Sequence, residues 1–190
     1  MIASPKIVIA GSGRIAWHLG RRLKTKGLHV AQVISRTLEH AVALGEALGC
    51  ASTDDWAAIR SDADWILIAV RDDSIEAVAG LLAPHAPDAF VTHTSGATPG
   101  KALAPFFARY GVFYPLQTFS MDRTPVWSKI PFCVDAVQKE DLLFLKKTAK
   151  TIGNLVYQVN DEQRARLHVA AVFANNFVNH CFAIAEKLLE

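Results

Sequence analysis

Short apolar runs alternate along this chain with longer segments in which apolar residues return at helical spacing. Val and Ile dominate the short runs. The run at residues 65–70 is nearly all apolar, as expected of a strand buried on both faces. Such alternation is typical of a parallel sheet whose strands are connected by crossover helices. The pattern therefore predicts an α/β fold with a doubly wound, mostly parallel sheet.

Gly and Pro residues mark the ends of the predicted helices. A helix at residues 14–26 stops near Gly27, one at 39–48 is ended by Gly49, and one at 74–83 is broken by Pro84. A fourth helix is predicted at residues 139–152. The strand candidates are residues 6–10, 30–35, 50–52, 65–70, 90–93, 111–114, 131–135 and 155–159.

The organisation of the chain changes at Asn160. Asn160 and Gln163 resemble a capping box, and the pattern is helical from there to the last residue. We predict one domain over residues 1–159, followed by residues 160–190 as the first helix of a helical substrate or dimerisation domain. Because no stop signal precedes the last residue, we expect this second domain to be truncated.

The most apolar long region, residues 167–189, also carries polar groups. Asn175, Asn176, Asn179 and His180 would be costly in lipid, so the pattern predicts a buried helix of a soluble protein, with no membrane partner. The remainder of a helical domain or a second subunit would cover it.

Charge and cysteine usage narrow the class of protein. A net charge of +2 with interspersed signs gives no large basic face, so nucleic acid is not an expected partner. Cys50, Cys133 and Cys181 lie far apart and lack CxxC spacing, which indicates reduced thiols in a reducing compartment. No signal peptide is recognisable. We therefore expect a cytoplasmic location.

A GxGxxA motif directly follows the first predicted strand and opens the first predicted helix, the context that a dinucleotide-binding loop requires. Gly11 allows the tight turn, Gly13 lets the backbone approach a pyrophosphate, and Ala16 permits close helix packing. The helix N-terminus offers free N–H groups to phosphates. The motif predicts a Rossmann-type domain; the alternative is a glycine turn that binds nothing. The cofactor-binding residues predicted from this loop are Gly11, Ser12, Gly13, Arg14 and Ile15.

The end of the second predicted strand indicates which dinucleotide is bound. NAD-binding domains usually carry Asp or Glu there, whereas this chain has Ser35, Arg36 and Thr37. Two hydroxyls and a guanidinium suit a 2′-phosphate, which a carboxylate would repel. The sequence therefore favours NADP(H) over NAD(H), although Arg36 could instead be a solvated loop residue.

Two further loops follow predicted strands at the same edge of the sheet, where open α/β sheets bind their ligands. We expect both to lie beside the ribose and nicotinamide of the cofactor, with ordinary loop chemistry as the alternative. The residues concerned are Val70, Arg71 and Asp72 after the fourth strand and Thr94, Ser95 and Gly96 after the fifth.

With these motifs, the chain resembles a family of NADP oxidoreductases in which a Rossmann-like domain precedes a C-terminal helical domain of unknown function (DUF2520-type). The resemblance covers the whole chain and rests on residues 8–16, 35–37, 93–96, 111–119 and 167–177. Its most specific parts are the Tyr-Pro-Leu-Gln-Thr-Phe stretch that begins at Tyr114 and the Leu-His…Asn-Asn-Phe stretch that begins at Leu167. The F420-dependent NADP oxidoreductases, prephenate dehydrogenases and β-hydroxyacid dehydrogenases are similar more distantly. The resemblance implies a two-domain enzyme that forms a homodimer through its helical domain.

Three residues of the C-terminal helix form a polar stripe on an otherwise apolar surface. At 3.6 residues per turn, His168, Asn175 and Asn179 fall on one narrow face, with Asn176 at its margin. Hydride transfer to or from a carbonyl needs a proton donor and a hydrogen-bonding orienter, which His and Asn can supply. In the β-hydroxyacid dehydrogenases a Lys and an Asn on the corresponding helix fill these roles, with different spacing. The alternative is that the stripe binds a missing domain or a partner.

The sequence thus predicts an NADP(H)-dependent oxidoreductase acting on a small polar carbonyl or alcohol. His168, Asn175 and Asn179 are the catalytic candidates, and Tyr114, Gln117, Thr118 and Asn176 are the candidates for substrate binding. The remaining histidines show no metal-ligand spacing, so no metal is predicted. A rival interpretation is a non-catalytic NADP(H)-binding module, sensor or assembly subunit. A deazaflavin redox partner, F420, follows only from the distant resemblance.

Overall fold

A computed structural model describes residues 5–189 of the chain. It contains eight strands and six α-helices, with a π-helical turn (Val172–Phe177) between the last two helices. The strands are β1 (Ile7–Ala10), β2 (Val30–Ile34), β3 (Ala51–Thr53), β4 (Trp65–Ile68), β5 (Phe90–His93), β6 (Tyr110–Pro115), β7 (Pro131–Ala136) and β8 (Leu155–Gln158). The helices are α1 (Arg14–Thr25), α2 (Leu38–Leu48), α3 (Ile75–Leu82), α4 (Lys139–Ile152), α5 (Asp161–Ala171) and α6 (Val178–Leu189). Every strand and helix predicted in residues 1–159 is therefore confirmed, with small shifts at the ends.

The strands form one sheet in the order β3-β2-β1-β4-β5-β6-β7-β8. From β1 the chain first runs outward through β2 and β3, then returns to place β4 on the other side of β1. This reversal creates a switch point, and ligands of open α/β sheets bind outside the carboxyl ends of the strands at such a point. The predicted doubly wound, mostly parallel sheet is confirmed.

One strand runs against the others. β7 pairs antiparallel with β6, whereas all other neighbouring strands are parallel. The connection from β6 to β7 contains only a short 3-10 turn, Trp127–Lys129, and no crossover α-helix of the kind that parallel neighbours need. The chain therefore turns back, and α4 then carries it across to β8, which is parallel to β7.

Helices cover both faces of the sheet. Alternate residues of β1 point to opposite sides: Ile7 and Ile9 pack in a core with α1, α2 and α4, whereas Val8 and Ala10 pack against α3. All four β1 residues are fully buried, as the apolar sequence of the central strands requires. The core thus fixes the carboxyl ends of β1 and β4 beside one another.

The C-terminal helical region departs from its prediction at one point. Instead of one continuous α-helix, a π-helical turn separates α5 from α6. The side chains of α6 are exposed within the described residues, and the expectation that the remainder of a helical domain or a second subunit covers this helix stays a prediction. By length and composition the stretch Asp161–Leu189 could cross a membrane, which alone is weak evidence of a span. Residues 1–4 and 190, at the limits of the predicted domains, lie outside the described residues.

Candidate active site

The glycine loop begins the site at the carboxyl end of β1. Gly11 has φ +122°, and a Cβ added there would lie 2.3 Å from the backbone oxygen of Ala69. Only glycine fits both the conformation and the space. Its amide donates to the backbone oxygen of Ile34 at 2.7 Å, which ties the loop to β2.

Gly13 plays a different part in the same loop. It caps α1 with φ −74°, a conformation open to any residue, and a Cβ added there would meet nothing within 4 Å. No side chain caps the first turn of α1. The N-terminus of the helix therefore faces open space, where its free N–H groups and positive dipole end suit a phosphate.

This open space belongs to a cleft of about 800 Å³ at the switch point. The predicted residues of the first three loops all line it, and Gln117, Thr118 and Phe119 from the loop after β6 close one side. The predicted lining residues are Gly11, Ser12, Gly13, Arg14, Ile15, Ser35, Arg36, Thr37, Val70, Arg71 and Asp72. The volume lies within the range of small-molecule and cofactor sites. The glycine cradle and the cleft thus fit a dinucleotide.

The end of β2 forms the basic part of the cleft. Ser35 and Ser12 hydroxyls lie 2.7 Å apart and join the second loop to the glycine loop. Arg36 lines the cleft and is exposed, available to a ligand. His40 and Trp56 also line this cleft, although the sequence analysis did not select them. A cation, an imidazole and an indole together suit a phosphorylated ribose and its base.

The loop after β5 lies behind the cleft rather than on its surface. Thr94 and Ser95 are buried, and the Ser95 hydroxyl accepts hydrogen bonds from the amides of Ala97 and Thr98 at 3.1 and 2.8 Å. A Cβ added at Gly96 would lie 2.6 Å from both His168 Nδ1 and Tyr114 Cζ. This loop therefore packs against the candidate catalytic residues, and its contact with a cofactor stays a prediction.

His168 on α5 and Tyr114 on β6 form a pair. The tyrosine hydroxyl lies 3.1 Å from His168 Nδ1, and the two rings meet edge to face with centroids 6.0 Å apart. Burial raises the pKa of Tyr114 to about 12, and the nearby Cys133 and Asp72 contribute to the increase. The protonated Tyr114 hydroxyl can donate to Nδ1 or accept from it according to the tautomer of His168, and in both cases Nε2 is left to another partner.

The three asparagines form a second polar group along the same helical region. Asn175 Nδ2 donates to the Thr118 hydroxyl at 3.0 Å and to Asn176 Oδ1 at 3.0 Å, and Asn179 Nδ2 donates to Asn175 Oδ1 at 3.3 Å. Since Thr118 lines the cleft, this contact joins the asparagines to the dinucleotide site. Asn176, predicted at the margin, is bonded into the group through its Oδ1, and both it and Asn175 lie in the π-helical turn. Such turns occur frequently at functional sites.

Two buried residues near this site were not selected by the sequence analysis. Arg164 is 1% exposed, and its Nη2 donates to Thr98 O at 2.6 Å and to Asp161 Oδ1 at 2.8 Å. His93 is fully buried, and desolvation, aided by the charge of Arg164, lowers its pKa to about 4. The only sequence signal for Arg164 was its i,i+3 spacing from Asp161, which is common on solvated helices.

In residues 5–189, no three His, Cys, Asp or Glu side chains are grouped so as to hold a metal ion. The chemical groups of the site are therefore a histidine, a tyrosine, amides and hydroxyls beside a basic, glycine-lined cleft.

Family models match two parts of the chain. Residues 6–95 match "NADP oxidoreductase coenzyme F420-dependent", and residues 130–190 match the domain of unknown function DUF2520. No curated protein sequence matches the chain.

Solved structures with the same fold include three that cover almost all of this chain. A "putative NADP oxidoreductase" of Bacteroides fragilis is 37% identical over 100% of this chain and 73% of its own, with a TM-score of 0.93. A prephenate dehydrogenase of A. aeolicus, in complex with hydroxyphenyl propionate and NAD+, is 14% identical over 99% of this chain and 70% of its own (TM-score 0.73). A pyrroline-5-carboxylate reductase of Coxiella burnetii is 19% identical over 97% of this chain and 69% of its own (TM-score 0.73). At these lower identities, the last two show the fold alone.

The fold and the site define a dinucleotide-dependent oxidoreductase of the Rossmann class. This chain belongs to the NADP oxidoreductase family with a C-terminal DUF2520 domain, the family of the Bacteroides fragilis protein. The resemblance stated from the sequence is confirmed, and the chain is assigned to the NAD(P)-dependent oxidoreductases.

Proposed function

We propose that this protein is an NADP(H)-dependent oxidoreductase that transfers a hydride to or from a small polar carbonyl or alcohol. One observation carries the proposal: the hydrogen bond from Asn175 to Thr118 joins the polar face of the C-terminal helical region to the wall of the dinucleotide cleft. His168, paired with Tyr114, lies two turns before Asn175 along the same helical region. Proton-transfer and orienting groups are thus available beside a cofactor site.

The preference for NADP(H) rests on the charge of the cleft. Arg14, Arg36 and Arg71 line it, whereas Asp72 is the one carboxylate among the described lining residues. Arg36 follows β2, where the 2′ substituent of the adenosine ribose is bound in dinucleotide domains of this type. A guanidinium at that position can pair with a 2′-phosphate through two hydrogen bonds.

The residues of the chain would handle the proton that accompanies the hydride. The hydride would come from NADPH held in the cleft, and the carbonyl oxygen would then need a proton from a residue of the chain. With Nδ1–H donated to the Tyr114 hydroxyl oxygen, Nε2 would be the proton donor of the imidazolium in reduction and the proton acceptor of the neutral ring in oxidation. Asn175 and Asn179 would orient the substrate oxygen by donating hydrogen bonds, with Gln117, Thr118 and Asn176 as its other contacts.

The test is NADPH oxidation against a panel of small keto acids, aldehydes and imines. Replacing His168 by Gln should lower kcat about 100-fold, since a positioned general acid contributes roughly 10²–10⁴-fold, while NADPH affinity is kept. His180→Gln, an exposed change on α6, is the matched control. Undiminished turnover in His168→Gln would exclude the role given to His168. Tight NADPH binding without turnover of any substrate would instead favour a non-catalytic NADP(H)-binding module.

We also propose that the protein acts in the cytoplasm as a homodimer formed through its C-terminal helical region. The exposed apolar residues there support this assembly, among them Phe173, Phe177 and Phe182. A second copy of the chain would remove this surface from water.

A further inference from the structure

Arg164 is an unusual residue in this fold because its charge is almost completely buried. It is 1% exposed, and only Nη2 makes hydrogen bonds, to Thr98 O at 2.6 Å and to Asp161 Oδ1 at 2.8 Å. Nε and Nη1 are buried without a partner among the described residues. A buried guanidinium with free donors is costly, so such a group calls for an explanation beyond packing.

The bonds of Arg164 attach α5 to the loop after β5. Arg164 holds the backbone oxygen of Thr98, and Asp161, one turn earlier, accepts from the Gly100 amide at 2.8 Å. The Arg164–Asp161 ion pair thus binds the loop at two backbone groups. The Ser95 hydroxyl accepts hydrogen bonds from two amides of the same loop. These contacts fix the position of α5 relative to the sheet.

The same loop also contacts the candidate catalytic pair. Gly96 is packed so closely that an added Cβ would lie 2.6 Å from both His168 and Tyr114. Arg164 and His168 are four residues apart, one helical turn, so they lie on the same face of α5. A displacement of Arg164 would therefore move His168 relative to Tyr114.

Arg164 also contributes positive charge to this region. The guanidinium acts electrostatically on both Tyr114 and His93, opposing the increase in the Tyr114 pKa and supporting the decrease in the His93 pKa. His93 Nδ1 accepts from the Ser95 amide, so its proton lies on Nε2, which also lacks a partner among the described residues. The unpartnered buried side-chain donors of residues 5–189 are thus confined to Arg164 and His93, beside the candidate site.

We propose that Arg164 is a positioning residue for the proposed reaction: by clamping α5 to the loop after β5, it holds His168 in hydrogen-bonding contact with Tyr114. This inference rests on the proposed function. A purely structural arginine would affect stability without changing the state of His168, whereas a positioning residue must change the surroundings of the His168 ring.

The test uses two variants. R164M keeps most of the length of the side chain and removes its charge, whereas R164K keeps a positive charge and a hydrogen-bonding group at the end of the side chain. Arg166 provides the control, because it lies on the same helix with a side chain that is 79% exposed and pairs with Glu162 at 2.6 Å. R166M should leave the His168 resonances and kcat unchanged. The His168 ring resonances are followed by NMR and assigned among the seven histidines with H168Q. NADPH affinity, kcat and KM are measured alongside.

We expect R164M to shift the His168 resonances and to lower kcat about 100-fold with NADPH affinity within twofold of wild type, and R164K to restore part of both. Folded R164M with wild-type His168 resonances would overturn the proposal. Failure of both variants to fold would also count against it, since Arg164 would then act through stability. If the wild-type protein turns over no substrate, the proposed function fails, while the His168 resonances still decide the role of Arg164.

Discussion

At the scale of single residues, the two glycines of the cofactor loop have separate physical roles. Gly11 is required by the fold, because its φ is +122° and a Cβ would collide with the backbone oxygen of Ala69. Gly13 has ordinary backbone angles and faces open space. Any requirement for glycine at position 13 must therefore come from a ligand of this loop.

We accordingly predict that Gly13→Ala folds normally and loses cofactor affinity. Its melting temperature should stay within about 2 °C of wild type, since an ordinary loop substitution costs little, while NADPH affinity falls about tenfold or more. Gly11→Ala, the control, should lose several kcal/mol through strain and collision, or fail to fold. Fluorescence titration and thermal unfolding measure both properties. Undiminished NADPH binding by Gly13→Ala would mean that no phosphate lies against this glycine.

His93 predicts a specific dependence of stability on pH. Its pKa is about 4 in the folded protein, where burial opposes the charge, against 6.5 in the unfolded chain. Between these pH values the unfolded state binds more protons than the folded state. The contribution of neutral, buried His93 to the free energy of unfolding is therefore fully present above about pH 6.5 and is lost as the pH drops toward 4. The full difference amounts to about 3 kcal/mol.

Denaturant unfolding at pH 7.5, 6 and 5 measures this effect. His93→Asn keeps an acceptor for the Ser95 amide but cannot take up the proton. The free energy of unfolding of this variant should therefore fall much less than that of wild type between pH 6.5 and 5. His85→Asn, at an exposed position, should behave like wild type. If His93→Asn shows the same decline as wild type, other groups are responsible for it.

At the scale of elements, periodicity and turn residues predicted every strand and helix of residues 1–159, because these signals act locally along the chain. The direction of β7 was not predicted, since it depends on the absence of a crossover helix between residues 116 and 130. The π-helical turn at Val172–Phe177 was also missed. Its sequence is compatible with an α-helix, and the bond from Asn175 to Thr118, 57 residues away, is a tertiary contact that no local pattern contains.

The start of α5 was predicted from two residues and yields a direct prediction. Asn160 Oδ1 accepts from the Gln163 amide at 2.9 Å, and the Gln163 side chain accepts from the Asn160 amide at 3.0 Å, a complete capping box. Asn160→Ala should therefore lower the free energy of unfolding by about 1 kcal/mol. Asn160→Asp, which keeps the accepting oxygen, should stay near wild type in the same denaturant titration. Equal losses in both variants would show that the cap is not the cause.

At the scale of the whole molecule, the residues that line the cleft were predicted more completely than the contacts of the candidate catalytic residues. The first three loops follow strands whose order in the sheet is implied by the fold, so their residues could be placed together in advance. Contacts such as Tyr114 with His168 and Arg164 with Thr98 join elements 54 and 66 residues apart. Their geometry depends on how α5 packs against the sheet, which periodicity alone does not determine.

The exposed apolar surface predicts self-association. Phe173 and Phe177 stack at 4.8 Å and are each more than half exposed, like Phe182 on α6. We expect a homodimer in sedimentation equilibrium that is weakened at least tenfold by Phe177→Asp, because a charge would have to be buried in the interface. Leu143→Asp, an equally exposed position on α4, is the control. A wild-type monomer, or equal weakening by both changes, would contradict assembly through this region.

The most direct test of the central claim is a calorimetric titration of the protein with NADPH and with NADH, repeated on Arg36→Gln. The account predicts that NADPH binds at least tenfold more tightly than NADH, and that Arg36→Gln removes most of this difference by weakening NADPH alone. Arg21→Gln, at an exposed position outside the cleft, should leave both affinities unchanged. Binding of neither dinucleotide would contradict a cofactor site at the glycine loop, and equal affinities for the two would contradict recognition of the 2′-phosphate by Arg36.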